Sequence, residues 1–184
     1  MLVSNRYDPD PRVHKEARSL VAAGYRVTVL AWDREYERPA SEVRDGVRIQ
    51  RLRARRAKPG DLGAAVVGLV SFHHAARKEL LRSRPRAVHC HDHDTCAVGW
   101  WWRTLGARRA GVEDPRFVFD AHDLYWTWVS IGNPRSRWRR AAGAVLRHKD
   151  RFYARRADLL ITATEGRGEQ EGFAEIYRRW EVGS

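Results

Sequence analysis

Residues 116–125 read Arg-Phe-Val-Phe-Asp-Ala-His-Asp-Leu-Tyr. A short apolar run leads directly into the polar side chains of Asp120, His122 and Asp123. That order is typical of a buried parallel strand that ends in polar groups. Because open α/β sheets bind ligands at the carboxyl ends of their strands, these three residues are candidate site residues.

A second stretch has the same design. Residues 87–94 read Ala-Val-His-Cys-His-Asp-His-Asp, again a short apolar strand followed by polar groups. Two such strand ends could lie side by side in one sheet and share a crevice. A single Asp in either stretch can equally be a turn residue or a helix N-cap. For His122 a functional role is favoured over a purely structural one, because an imidazole beside two carboxylates has its pKa and tautomer set by these neighbours.

Strands and helices alternate along the chain. The sequence predicts strands at 2–5, 26–31, 47–52, 88–91, 117–119 and 158–163, and helices after the N-caps Asp10 and Asp61 and over 95–110, 135–157 and 173–180. Residues 32–45 are predicted to form a polar loop. The predicted fold class is α/β: a single Rossmann-like, doubly wound, mainly parallel sheet with helices on both faces.

Composition indicates one globular domain. The chain has 184 residues, of which 43% are hydrophobic, and this excludes a disordered protein. Its two cysteines form no CxxC pair and are too few for a disulfide framework, which favours a reducing, cytoplasmic setting. No signal peptide is visible at the N-terminus, and the longest apolar run, 62–72, is shorter than the ~20 residues that a membrane-spanning helix needs.

The charge balance suggests an anionic partner. Lys and Arg exceed Asp and Glu by 35 to 23, for a net charge of +12, which fits nucleic acid, a phosphorylated substrate or an anionic membrane face. The basic helix predicted over 135–157 either lies on anionic lipid or packs as an ordinary surface helix on the sheet. Tyr125 and Trp126, with the following loop to Pro134, are typical of an aromatic segment that lines or covers a pocket.

Six segments occur in a recognisable order and spacing: Leu2–Asn5, Asp10–Val13, Lys15–Val27, Ala87–Asp92, Asp120–Leu124 and Ala157–Thr162. Together they resemble the N-terminal half of a family 4 glycosyltransferase, over nearly the whole chain. The resemblance implies the GT-B architecture, in which two Rossmann-like domains face each other across a cleft. It also implies that this domain binds mainly the acceptor, that a C-terminal domain grips the nucleotide sugar, and that transfer needs no metal ion or other cofactor.

The resemblance assigns roles by position. His122 resembles the histidine that the family places near the donor sugar and the reacting acceptor hydroxyl, and Asp123 stands where an acidic residue usually follows it. These two are the candidate catalytic residues. Asp120 would orient their loop, while His91 and Asp92 match a second segment of the cleft.

The first loop departs from the family pattern. The family usually has a glycine pair there, close to the donor phosphates, whereas residues 6–11 contain no glycine. Arg12, at the start of the first helix, is expected to act in its place. The candidate substrate-binding residues are therefore Arg12, His91, Asp92, Asp120, Tyr125 and Trp126. Because a similar replacement within the family accompanies a lipid-linked acceptor, such an acceptor is plausible here.

We expect residues 1–184 to form the N-terminal domain, with the nucleotide-sugar-binding C-terminal domain absent and little or no transferase activity in the chain alone. The expected partners are a nucleotide-sugar donor, held by the missing domain, and a lipid-linked or polysaccharide acceptor. The expected location is cytoplasmic, with peripheral attachment to the inner face of the plasma membrane as the alternative that the basic helix raises.

Two other functions stay open at this stage. The cluster His89, His91, Asp120 and His122 has the ligand types of a metal-dependent hydrolase. Its spacing does not reproduce the metallo-β-lactamase motif, so no metal ligands are predicted. A non-catalytic basic binding module is the other alternative, and no specific nucleic-acid partner is predicted because no helix-turn-helix, zinc-finger or RNA-recognition signature is present.

Overall fold

A computed structural model of the chain describes residues 1–8, 10–57, 61–129, 136–162 and 172–180. The strands in this part of the chain are β1 (Leu2–Val3), β2 (Thr28–Ala31), β3 (Ser41–Arg44), β4 (Val47–Arg51), β5 (Ala87–His91), β6 (Arg116–Ala121) and β7 (Leu159–Thr162). The helices are α1 (Pro11–Ala22), α2 (Leu62–Ser83), α3 (Cys96–Trp101), α4 (Ala107–Ala110), α5 (Tyr125–Trp128), α6 (Arg137–Ala154) and α7 (Phe173–Arg179), and a π-helical turn, Trp102–Gly106, connects α3 to α4.

The strands form one sheet in the order β3-β4-β2-β1-β5-β6-β7. Every neighbouring pair is parallel except β3 with β4. This confirms the predicted Rossmann-like, mainly parallel α/β fold. The order reverses direction at β1, so β1 and β5 lie at the point where such folds place their ligands.

Two apolar layers cover the two faces of the sheet. Successive residues of a strand point to opposite faces, and Leu2 and Val3 accordingly belong to different core clusters. The cluster with Val3 includes Val13 and Ala17 of α1. The cluster with Leu2 includes residues of α2, α3, α6 and α7, among them Phe72. The prediction of helices on both faces is therefore correct.

The predicted helix starts are confirmed at Asp10 and Asp61. Asp10 accepts hydrogen bonds from the backbone N–H groups of Arg12 and Val13, with Pro11 at the first helical position. Asp61 accepts one from the N–H of Ala64. These caps replace the hydrogen bonds that the first turn of a helix lacks.

Strand β3 was not predicted, because residues 32–45 read as a polar loop. Its four residues alternate between exposed and half-buried, so no apolar face marks it as a strand. Asp45 and Gly46, both with positive φ, form the two-residue turn between β3 and β4. An Asp-Gly pair of this kind is a strong hairpin signal, and it could have identified β3 from the sequence.

The hairpin is tied to the first loop by Arg51. This guanidinium is buried and donates hydrogen bonds to the carbonyls of Arg6, Tyr7 and Pro39 at 2.8–2.9 Å. It also pairs with Glu42 of β3 at 2.6 Å. The shape of the loop before α1 therefore depends on an edge hairpin on the far side of β2.

Two predicted elements differ from the structure, one in its type and one in its limits. Residues 125–128 form the short helix α5 rather than a loop, while residues 130–135 lie outside the described part of the chain. The basic helix runs over Arg137–Ala154, slightly shorter than predicted. Across the described ranges, none of the helices has the length and apolar character that crossing a bilayer requires.

Asp150 joins α6 to α7 inside the core. Its carboxylate is buried and accepts a hydrogen bond from the Tyr177 hydroxyl at 3.0 Å. Burial raises the pKa of Asp150 to about 7, more than the Tyr177 contact lowers it. In the folded protein this carboxyl therefore holds a proton that it would lose near pH 4 in the unfolded chain.

This raised pKa predicts a pH-dependent stability. The folded state binds more protons than the unfolded state between pH ~4 and ~7, so the free energy of unfolding falls as pH rises through that window. A rise of about three pKa units limits this loss of unfolding free energy to about 4 kcal/mol at most. We expect Asp150→Asn to remove much of this loss and to be more stable than the parent at pH 8 in urea unfolding. Glu113→Gln, an exposed control, should retain the parent's pH profile.

Candidate functional site

The site lies where β5 and β6 end side by side. His91 of β5 is in register with Asp120 of β6. Cys90 and Phe119 point into the core cluster beneath α2 and α3, so His89, His91 and Asp120 point to the opposite face, which α1 covers. Helix α3 can approach the first face because Gly99 has no side chain: a methyl group there would lie 2.5 Å from the Cys90 sulfur.

Asp120 is at the centre of the cluster, and it is fully buried. Its Oδ2 lies 3.1 Å from His122 Nε2, 3.2 Å from His91 Nδ1 and 3.4 Å from His89 Nε2. The rings stack in sequence, with centroids 4.4 Å apart for His89 and His91 and 5.4 Å apart for His91 and His122. One carboxylate oxygen therefore organises three imidazoles.

The charges in this cluster depend on one another. Burial alone would raise the pKa of Asp120, but the contacts from His122, His89 and His91 hold it well below its usual range. Burial lowers the pKa of His91 to about 4 and also lowers that of His89. Burial also acts to lower the pKa of His122, yet Asp120 and Asp92 outweigh it, so that pKa is raised. Near pH 7 the positive charge therefore resides preferentially on His122.

Asp92 connects the two strand ends. It has a φ of +63° and donates its N–H to the Asp120 carbonyl at 2.9 Å. Its Oδ1 accepts the His122 N–H at 3.2 Å. The hydroxyl of Thr95 donates to the carbonyls of both His91 and Asp92, which fixes the turn into α3. Together these bonds hold His122 in place from the neighbouring strand.

The remaining predicted site residues lie around this cluster at different distances. Asp123 follows His122 and is half-buried, and Tyr125 packs on His93 with ring centroids 4.7 Å apart. Arg12 is exposed on the first turn of α1, near enough for its charge to act on the pKa of His122. Trp126 does not join the histidines: its described ring contacts are with Arg147 and Trp180.

Comparison with known proteins decides the family. Residues 9–177 match the model of the family described as the glycosyl transferase 4-like domain. The chain belongs to this family. The expected relationship to family 4 glycosyltransferases is thereby confirmed, and the domain is a glycosyltransferase domain. No curated protein sequence matches the chain significantly.

Solved structures show the same fold. A sucrose-phosphate synthase from Thermosynechococcus elongatus superposes with a TM-score of 0.66 at 17% identity, over 98% of this chain and 41% of that one. A shorter chain of that synthase gives a TM-score of 0.58 at 16% identity, over 99% of this chain and 83% of the other. At such identities the likeness shows the fold alone. The glycosyl transferase 4-like domain described here spans about two fifths of the first synthase chain.

Sequence reasoning missed Glu16 of this glycosyl transferase 4-like domain. Glu16 lies on α1 one turn after Arg12, and its Oε2 is 3.7 Å from His89 Nε2. Burial and the nearby Asp120 raise its pKa to about 7. The available signal was an acidic residue directly before Ala17, which belongs to the buried stripe of an amphipathic helix. Glu16, His89, His91 and Asp120 each offer one ligand atom, all within 4.8 Å of one another, and could hold a metal ion.

The role of Asp92 can be tested by stability. Asp92→Ala removes the acceptor for the His122 N–H and places alanine at a positive φ, so we expect it to lower the free energy of unfolding by about 2 kcal/mol. Asp92→Asn keeps an acceptor oxygen and tolerates this backbone conformation, and it should cost less than about 1 kcal/mol. Urea unfolding of both variants checks this. Equal losses would show that Asp92 does not hold the His122 segment through its side-chain oxygen.

Proposed function

We propose that this chain is the acceptor-binding half of a GT-B glycosyltransferase, which transfers a sugar from a nucleotide-sugar donor to a hydroxyl of a lipid-linked or polysaccharide acceptor. A second Rossmann-like domain outside the 184 residues would hold the donor. The observation that carries the proposal is His122, held at the carboxyl end of β6 by Asp120 and Asp92 within a glycosyl transferase 4-like domain.

The proposed reaction joins the acceptor oxygen to the anomeric carbon of the donor sugar. The bond from that carbon to the nucleoside diphosphate breaks, the diphosphate leaves with the electron pair, and the acceptor hydroxyl loses its proton. The transition state has oxocarbenium character, and groups at the reacting centre stabilise its charges. No metal ion is needed for this transfer in the proposed scheme.

His122 and Asp123 are the proposed catalytic residues. His122 Nδ1 is buried and has no hydrogen-bond partner among the described residues, so a substrate oxygen could become its partner. Its Nε2 contacts Asp120, which orients the ring and favours the charged imidazole. Asp123, next along the chain, is the proposed acceptor for the hydroxyl proton. In this proposal the His122 imidazolium and the Asp123 carboxylate lie next to each other, so the site offers a positive group to the donor phosphates and a negative one to the acceptor hydroxyl.

The proposed substrate-binding residues surround this pair. Arg12 would contact anionic groups from the exposed first turn of α1, and His91, Asp92 and Asp120 would keep the strand ends in position. Tyr125 would cover the acceptor from the start of α5. Trp126 is proposed to bind substrate at the edge of this site, since its described ring contacts are with Arg147 of α6 and with Trp180.

Transfer assays test this proposal. In the proposed scheme a second domain holds the donor, so we expect residues 1–184 alone to give no transfer and no saturable binding of nucleotide sugars. Joined to a donor-binding domain from the same or the neighbouring gene, they should transfer labelled sugar to a lipid extract of the source membranes. His122→Ala should then lower the transfer rate by about 10²–10⁴-fold.

Two controls make this result interpretable. His74→Ala, an exposed histidine of α2, should leave the rate unchanged, and circular dichroism should show that His122→Ala is folded. Full transfer by His122→Ala would overturn the catalytic assignment. Saturable nucleotide-sugar binding by the chain alone would overturn the division into acceptor and donor halves.

The proposed acceptor is at a membrane, and helix α6 supports this. It packs inward through Gly143, Tyr153 and Ala154. On its outer side Trp138 is 65% exposed and Val145 60%, near exposed basic residues that include Arg137, Arg140, Lys149 and Arg151. Exposed apolar groups within a basic surface match the headgroup and acyl boundary of an anionic bilayer. We propose that this face of α6 attaches the domain to the inner face of the plasma membrane.

Vesicle flotation tests the attachment. We expect the chain to float with phosphatidylcholine vesicles that contain phosphatidylglycerol, much less with pure phosphatidylcholine, and less at high salt. Arg137→Glu with Trp138→Ala should weaken partitioning by about tenfold or more, since each basic residue near the surface contributes about 1 kcal/mol. Arg26→Glu, on the exposed turn before β2, makes the same charge change elsewhere. Equal losses in both variants, or equal flotation with neutral vesicles, would contradict attachment through α6.

A further inference from the structure

We propose that Glu16, His89, His91 and Asp120 form a binding site for one divalent transition-metal ion, with Zn²⁺ as the best match. The ion would join helix α1 to the ends of β5 and β6. This site shares Asp120 and His91 with the arrangement that holds His122, but its ligands do not include His122 and Asp123, the residues proposed to carry out the transfer. It is also a different assignment from the metal-dependent hydrolase considered for the sequence, because Glu16 takes the place of His122 as a ligand.

Geometry is the first argument. Asp120 Oδ2 lies 3.2 Å from His91 Nδ1 and 3.4 Å from His89 Nε2, and His89 Nε2 lies 3.7 Å from Glu16 Oε2. A tetrahedral zinc ion with bonds of about 2.0–2.2 Å separates its ligand atoms by about 3.3–3.6 Å. The three separations are close to these values, and all four ligand atoms lie within 4.8 Å of one another, so side-chain shifts of an ångström or so, about the difference between the two, would complete the set.

The second argument is that the cluster contains buried polar atoms with nothing to bind. Within the described residues, Glu16 Oε2, His89 Nε2, His91 Nε2 and both carboxylate oxygens of Asp120 have no hydrogen-bond partner of good geometry. Each such atom costs about 1–3 kcal/mol when it is removed from water without a partner. An ion bound to Glu16 Oε2, His89 Nε2 and Asp120 Oδ2 would offset this cost for three groups at once.

The donor set indicates which ion fits. Two imidazoles and two carboxylates suit zinc and neighbouring transition metals, whereas calcium and magnesium prefer sites made wholly of oxygen. The two carboxylate charges would balance a divalent cation within a low-dielectric environment. His122, which contacts Asp120, would serve as the outer partner that orients this ligand.

The metal-free alternative is a network in which the imidazoles donate hydrogens to Asp120. That network would require three N–H groups to share one oxygen, and Glu16 would have to be protonated to donate to the same carboxylate. The two alternatives predict opposite behaviour toward added metal, so a binding experiment separates them without any enzyme assay.

The experiment titrates Zn²⁺ into the chelator-treated 184-residue chain and follows binding calorimetry and the unfolding temperature. We expect one ion per chain and a rise of several degrees in that temperature at saturation. Co²⁺ should give the visible absorption of a four-coordinate nitrogen and oxygen site. Glu16→Gln and His89→Ala should each weaken Zn²⁺ binding about 100-fold or more, and both positions are partly exposed, which favours folding of the variants.

His93→Ala is the matched control, because His93 is buried beside the same strand end but lies outside the four ligands. It should bind Zn²⁺ as the parent does. Binding that is unaffected by Glu16→Gln and His89→Ala would overturn the proposal, and so would an adventitious ion only, bound weakly and without four-coordinate Co²⁺ absorption. Circular dichroism of each variant in the absence of metal distinguishes loss of a ligand from loss of the fold.

Discussion

A single buried carboxylate, Asp120, is the constraint on which the site depends. It lies at the end of a parallel strand, where water is excluded and a lone charge is costly. Three histidines approach one of its oxygens, and each is oriented with a ring nitrogen toward it, because a buried carboxylate is stabilised by nearby N–H groups and positive charge. The arrangement fixes where His122 lies and which imidazole carries charge. A cluster that looks like four separate polar residues in the sequence therefore behaves as one ionisable unit.

The fold could be predicted because its signals are local and mutually consistent. The caps at Asp10 and Asp61 mark helix starts, and the apolar runs before Asp92 and Asp120 mark buried strands. Strand β3 could not be recognised from its side chains, since an edge strand with two polar faces has no hydrophobic period. Only its Asp-Gly turn, in which both residues must have a positive φ, identifies the strand in the sequence.

The candidate site was predictable in its strand-end members and not in its helical one. His91 and Asp120 come from strand ends whose register the fold fixes. Glu16 meets them from α1, which covers the face to which they point, and that meeting depends on the rotation of the helix about its axis, which no local pattern in the sequence specifies. The same limit applies to Trp126, whose orientation is set by packing against α6 and the residue after α7 rather than by its proximity to His122 in sequence.

The anchoring of the first loop by Arg51 makes an edge hairpin responsible for the shape of the site's entrance. The loop before α1 contains bulky residues, and its backbone carbonyls are held by a guanidinium from the β3–β4 hairpin. Because the acceptors are main-chain oxygens, side-chain changes within the loop leave this tie intact. Loss of the Arg51 side chain would instead release the loop and the hairpin together, although neither strand of the hairpin touches the histidine cluster.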